Sequence, residues 1–190
     1  SLGGIVGATT ASLPSNINSF ALSVAGGGIA DLLLQSATFG PPIGGAVAAK
    51  LGANTFLFNR MFAKLGANTF LFNRMFGDAQ AAADAGDPLN HIAIAAANKP
   101  ILLHKVVNDQ VVPNSATDRL IALSGVPKYT THGFWFGSGY VTFTAGSHGS
   151  LLDESVMPQV TVEMQEEFAT FAFLNGTAFE ILDDTYIQNP

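Results

Sequence analysis

The chain has 190 residues, of which 12% are charged and 48% hydrophobic, and it contains no cysteine. Charge at half the roughly 25% usual for soluble globular chains excludes a disordered segment and most coiled coils. Eight Lys and Arg against 14 Asp and Glu leave a net charge of −6, which argues against a nucleic-acid partner, and the missing cysteines exclude disulfides, thiolate-ligated zinc and a thiol nucleophile.

The length suits one domain with an adequate core. No run of 18 apolar residues reads as a membrane span. The start carries no basic region or cleavage site of an export signal. It opens on Ser1-Leu2-Gly3-Gly4 without an initiator methionine, as the middle of a protein would.

Residues 1–10 are small and glycine-rich, with Leu2, Ile5 and Val6 apolar; they predict a short helix whose glycines allow close packing. Residues 16–25 predict a buried strand, ended by Gly26-Gly27-Gly28. A short helix follows over 29–34, stopped by Phe39-Gly40-Pro41-Pro42. Residues 49–62 and 63–76 are then identical, AKLGANTFLFNRMF twice over. At about 100° per residue, such a unit advances close to four whole helical turns. A helix therefore absorbs the copy with its apolar face in line, Leu51, Phe58 and Phe62 continuing as Leu65, Phe72 and Phe76. Two copies are too few for a repeat array, so a duplication or an insertion explains the pair better than a repeat architecture.

Residues 78–90 predict a helix broken at Gly86-Asp87-Pro88. The aliphatic, β-branched run 99–107 is the strongest strand signal. A polar loop, Asn108-Asp109-Gln110-Val111-Val112-Pro113-Asn114, leads into a helix over 115–124, with Ser115 as its N-cap and Leu120, Ile121 and Leu123 facing inward. A strand over 139–145 runs into Gly146-Ser147-His148-Gly149-Ser150. Residues 163–174 close with an amphipathic helix carrying Met164, Phe168, Phe171 and Leu174. The tail 178–187 reads as an added edge strand. Strands alternating with helices at this spacing predict an α/β fold with a mainly parallel sheet and flanking helices.

Three loop residues carry the chemistry: Ser1, Asp109 and His148. In open α/β sheets, ligands bind at the carboxyl ends of the strands. Asp109 and His148 each follow a predicted strand and should emerge on one rim. A serine hydroxyl needs a base to remove its proton, histidine serves near neutral pH, and a carboxylate orients the imidazole and balances its charge. The competitors Asp84, Asp87 and Asp118 follow no strand, and His91, His104 and His132 have no partners at metal-ligand spacing. His104, within a strand, reads as packed or surface-lying. Gly26-Gly27-Gly28 lacks the remainder of any phosphate-binding motif.

The chain order Ser, Asp, His is that of the α/β-hydrolases. Ser1-Leu2-Gly3-Gly4 resembles the back half of a lipase nucleophile elbow, Gly-His-Ser-Leu-Gly-Gly. With Ala25-Gly26-Gly27-Gly28-Ile29-Ala30, Phe39-Gly40-Pro41, the loop 108–114, Gly146-Ser147-His148-Gly149-Ser150-Leu151-Leu152 and Glu163-Met164-Gln165 in order, the chain resembles the bacterial extracellular or virulence-factor lipases of the α/β-hydrolase superfamily. The resemblance covers nearly everything except the duplicated segment.

That resemblance implies hydrolysis of carboxylic or lipid esters through an acyl-serine, with Ser1 as nucleophile, His148 as base, Asp109 as its acid partner and the Leu2 N–H as one oxyanion donor. It implies no cofactor and a secreted or cell-surface address. It implies that residues 1–190 are the C-terminal portion of an α/β-hydrolase domain. The N-terminal half, the Gly-x before Ser1 and the second oxyanion donor are then missing. Such a portion is expected to be inactive alone and to self-associate through its exposed sheet edge. Residues 41–87 occupy the place of a lid or cap. There Phe56, Phe58, Met61 and Phe62 would either pack as an ordinary helix face, the favoured reading, or meet an acyl chain or a lipid interface. Two other classes stay open: an amidase using Ser1 as an amino-terminal nucleophile, and a non-catalytic binding or structural domain on a hydrolase-like scaffold.

Overall fold

The computed structural model of the chain describes residues 2–50 and 70–189. Five strands are described: β1 (Phe20–Ser23), β2 (Ile101–Val106), β3 (Gly133–Phe136), β4 (Gly139–Phe143) and β5 (Ala178–Ile181). With them stand seven helices: α1 (Leu2–Ala11), α2 (Ile29–Gln35), α3 (Gly40–Lys50), α4 (Phe70–Ala83), α5 (Ile92–Asn98), α6 (Asn114–Ser124) and α7 (Pro158–Phe173). The architecture is mixed α/β, a small parallel sheet in the order β1-β2-β4 with flanking helices.

The near-continuous apolar run of β2 is what a central parallel strand requires, because helices cover both of its faces. Alternate residues of β2 point to opposite layers. Ile101 and Leu103 pack with Ala8 and Ala11 of α1, Ile92 and Ala95 of α5, and Leu120 and Ile121 of α6. Leu102 and Val106 pack on the other side with Val160, Met164 and Phe171 of α7. That second layer also takes in Phe179 and Ile181 of β5.

The antiparallel pair β3–β5 corrects the expectation for the tail. Residues 178–181 do not extend the edge of the main sheet; they pair with β3. Only further on does the chain join β4, through the antiparallel bridge of Ile187 with Phe143. Elements β3 and α5 are absent from the sequence expectations. β3 carries Phe134, Trp135 and Phe136 in succession, so no alternation marks it. α5 is a seven-residue, alanine-rich segment, too short to be stable without the tertiary burial of Ile92 and Ala95.

Other boundaries move for local reasons. Gly40-Pro41-Pro42 opens α3 instead of only stopping α2, since proline's missing N–H has no partner in the first helical turn. Likewise Pro158 starts α7 five residues before the expected position. The N-cap position of α6 is Pro113, not Ser115, whose hydroxyl donates instead to Gln35 Oε1 at 2.9 Å. Leu123 is 49% exposed, so only Leu120 and Ile121 of the expected inward trio are buried. In the segment 78–90 the helix α4 ends at Ala83, and two 3-10 turns, Asp84–Gly86 and Pro88–Asn90, flank Asp87. Most of the duplicated segment lies outside the described residues; its last seven, 70–76, form the start of α4.

Candidate active site

The parallel register of β1, β2 and β4 brings their carboxyl ends to one rim. Helix α1 runs back along β1, and its glycines decide how closely. A methyl group at Gly4 would lie 2.9 Å from Ala25 Cβ and 3.1 Å from the Ser23 carbonyl oxygen; one at Gly7 would lie 3.0 Å from Leu22 Cδ2. The first turn of α1 therefore abuts the carboxyl end of β1, on the rim from which Asp109 and His148 emerge. Leu2 begins the helix there and is 72% exposed. Ser1 lies outside the described residues, as do Phe56, Phe58, Met61 and Phe62.

Asp109 and His148 are separated by 39 positions, and the fold joins them: His148 Nδ1 donates to Asp109 Oδ2 at 2.7 Å. The other carboxylate oxygen, Oδ1, accepts from the backbone N–H groups of Val111 and Val112 at 2.8 and 3.0 Å. Both oxygens are thus engaged, and the Asp109 side chain is only 2% exposed against 20% for that of His148. The imidazole is held through Nδ1. Its Nε2 makes no hydrogen bond within the described residues. A ring held by a carboxylate on one nitrogen and free at the other is suited to receive a proton from a third group.

The loop that presents Asp109 is tightly fixed. Asn108 takes a left-handed φ of 61°, a conformation that asparagine tolerates better than most residues. Its N–H donates to Asn114 Oδ1 at 2.8 Å, while Asn114 Nδ2 donates to the Val106 carbonyl at 2.7 Å. Asn114 thereby bridges the end of β2 to the turn before Asp109. No sequence expectation gives Asn114 a role; the asparagines at the two ends of the loop 108–114 that carries Asp109 are the signal that marks it.

No family model, curated protein or solved structure matches this chain. The site is therefore read from its own chemistry.

The competing carboxylates have structural work. Asp87 is fully buried and accepts from the N–H groups of Gly28 (2.9 Å), Ile29 (2.7 Å) and Leu89 (2.9 Å) and from Gln80 Nε2 (2.7 Å). Burial pushes its pKa up, but these donors overcome that and hold it below the usual carboxylate range. Asp118 pairs with Lys105 at 2.5 Å, and Asp84 accepts from Gln80 Nε2 at 2.9 Å. Two of the other histidine rings have partners too. His91 spans Ser12 Oγ and the Ala85 carbonyl, each at 3.0 Å. His104 is buried against Glu167 at 2.7 Å and stacks on Phe168. His132 is held through its backbone N–H, which donates to Asp184 Oδ2 at 2.9 Å.

A pocket of about 330 Å³ lined by Gly28, Asp31, Asp87 and Arg119, among others, does not include Asp109 or His148. Among the described residues no group of three or more His, Asp or Glu side chains is placed to hold a metal ion. Among the same residues no helix is long and apolar enough to cross a membrane.

Proposed function

We propose that the chain carries a serine ester-hydrolase site of the α/β-hydrolase type, resembling the bacterial extracellular lipases. Ser1 is the nucleophile, His148 the general base and Asp109 its acid partner. The observation that carries this reading is the 2.7 Å contact between His148 Nδ1 and Asp109 Oδ2 at the carboxyl rim of a parallel sheet. Leu2, the residue after Ser1 in sequence, begins the helix whose first turn abuts the carboxyl end of β1.

In the proposed step, the Ser1 hydroxyl oxygen attacks the ester carbonyl carbon and its proton passes to His148 Nε2. The C–O bond to the alcohol then breaks, and the proton on Nε2 goes to the leaving alkoxide. Water, deprotonated by the same nitrogen, releases the acid and restores Ser1. The carboxylate of Asp109 balances the transient imidazolium. The Leu2 N–H, at the amino end of α1, is the proposed oxyanion donor, since helix amino termini offer unpaired N–H groups and a favourable dipole. The phenylalanines and Met61 of the 41–87 segment are proposed to meet the acyl chain, and a lipid interface is the proposed setting. Secretion or surface display belongs to the same proposal.

The helix beginning at Leu2 supports this reading over an amino-terminal serine amidase, which needs its nucleophile at the end of a strand. A fluorophosphonate reagent followed by peptide mapping tests it. Expected is covalent labelling of Ser1, which needs an activated hydroxyl and no ester turnover by the chain alone, abolished in Ser1→Ala and slowed in His148→Ala. Absence of labelling at Ser1 in the folded chain would sink it.

A further inference from the structure

We propose that Ser150 is a positioning residue that holds His148 against Asp109. The inference rests on the reading of those two residues as base and acid.

Ser150 is completely buried. Its Oγ accepts from the Ser147 N–H at 2.7 Å, and its own N–H donates to the Ser147 carbonyl at 3.1 Å. Two hydrogen bonds between the same two residues close a four-residue turn, and His148 lies inside it. Ser147 Oγ accepts from the Gly149 N–H at 3.3 Å, tightening the turn from within. The entry is fixed as well. Gly146 has a φ of 103°, where a side chain is strained. A methyl group there would lie 2.8 Å from Ser150 Oγ and 3.2 Å from Val160 Cγ1 of α7. Gly146 and Ser150 therefore interlock against that helix.

The exit is anchored to the same helix. Leu152 and Asp153 both donate their N–H groups to the Gly149 carbonyl, at 2.9 and 3.0 Å. Thr161 Oγ1 donates to the Asp153 carbonyl at 3.1 Å and Gln165 Nε2 to the Leu151 carbonyl at 2.8 Å. The turn is thus fixed to α7 on either side of His148, while the imidazole itself makes one hydrogen bond, to Asp109. Its aim is set by the turn that carries it. A buried hydroxyl is costly unless bonded, and without it the Ser147 N–H loses its acceptor. Displacement of a reacting group by about 1 Å costs on the order of a hundredfold in rate.

The test uses the full chain and two readouts. One is the downfield proton resonance of His148 Nδ1–H bonded to the Asp109 carboxylate, which needs no substrate. The other is the rate of Ser1 labelling by fluorophosphonate. Ser150→Ala is expected to broaden or abolish the resonance and to slow labelling about 10- to 100-fold. In an Asp109→Asn background the same substitution should change labelling less than about twofold, because a residue acting through that contact has nothing left to position. Multiplying effects in the double variant would mark a general structural role and overturn the proposal, as would an unchanged resonance in Ser150→Ala. If Ser150→Ala does not fold, Ser150→Cys, which keeps the shape and weakens the acceptor, is read in the same two ways. Failure of both to fold makes Ser150 a stability residue and also overturns it. Loss of the resonance in Ser150→Ala, alongside an unreactive Ser1 in the parent chain, would uphold the positioning role and sink the ester-hydrolase reading.

Discussion

His104 Nε2 and Glu167 Oε2 meet at 2.7 Å with neither side chain exposed to solvent. His104 stands at the centre of β2 and Glu167 on α7, so the contact crosses the layer between sheet and helix. Burial lowers the His104 pKa to about 3, against an opposing pull from Glu163, and pushes Glu167 well above the usual carboxylate range. The pair is thus an uncharged acid donating to an uncharged imidazole. One turn away, Glu163 accepts from the N–H groups of Leu182 and Asp183 at 2.9 and 2.8 Å. Burial is the main cause that raises Glu163 to about 7.

Stability should therefore fall as pH rises from mildly acidic to neutral. Each raised carboxyl contributes stability that is complete below the ordinary value of 4.5 and is lost as pH climbs through its folded value. His104 has the opposite sign: its contribution is complete above 6.5 and is lost on acidification towards 3. Between those ordinary values two carboxyls oppose one imidazole, a net loss of up to about 1.4 kcal/mol per pH unit. Urea unfolding should give a higher midpoint at about pH 5 than at about pH 7, with a difference in unfolding free energy of about 1–3 kcal/mol. Glu167→Gln, which keeps an uncharged donor facing His104, should flatten the profile; an undiminished slope would contradict the neutral pair.

Asp87→Ala removes one acceptor from four donors at once, three of them backbone N–H groups inside the fold. A charge-assisted bond contributes about 1.5–3 kcal/mol, and stranded donors add desolvation. The expected loss is about 3–4 kcal/mol, or roughly 6–15 °C in Tm for a chain of this size. Because the carboxyl is held low, the parent chain should lose this contribution only as pH falls below 3.8. A thermal shift under about 2 °C would show that Asp87 is not the clamp between Gly28 and the turn at Leu89.

Two neighbouring glycines should respond in opposite directions. Gly3 has open space around it, so Gly3→Ala gains helix propensity, about 0.5–1 kcal/mol. At Gly4 the new methyl meets Ala25 Cβ at 2.9 Å and the Ser23 carbonyl at 3.1 Å. Gly4→Ala should lose about 1–3 kcal/mol despite the same gain in propensity. Differential scanning calorimetry of both variants checks the sign; equal shifts would mean that α1 does not pack on β1 this closely.

Asp109→Asn keeps the shape of the site and removes the charge that orients and balances His148. Labelling of Ser1 by fluorophosphonate should slow by at least about a hundredfold, while far-UV circular dichroism stays unchanged. Labelling within about threefold of the parent would remove Asp109 from the site.

The parts of this fold that depend on local chain chemistry were legible before any coordinates. The aliphatic run of β2, the glycine-rich helix α1, the strand β4 and the stripe of α7 each carry a signal within a dozen residues. The positions of Asp109 and His148 just beyond strand ends followed from the same pattern. Three-dimensional packing decided the rest. It paired β5 with β3 instead of the sheet edge, because both present aromatic residues to the layer beneath α7. It also stabilised α5, whose own propensity is insufficient at seven residues.

The sequence by itself determined which residue types stand at the rim and in what order. Periodicity and turn chemistry act over short spans, and a rim is simply where parallel strands end. Only the tertiary structure decided that His148 Nδ1 meets Asp109 at 2.7 Å and that His104 and Glu167 share a dry interior. Those contacts join residues distant in the chain or enclosed by other elements. Their geometry is set by the packing of sheet against helix, which no short stretch of sequence encodes.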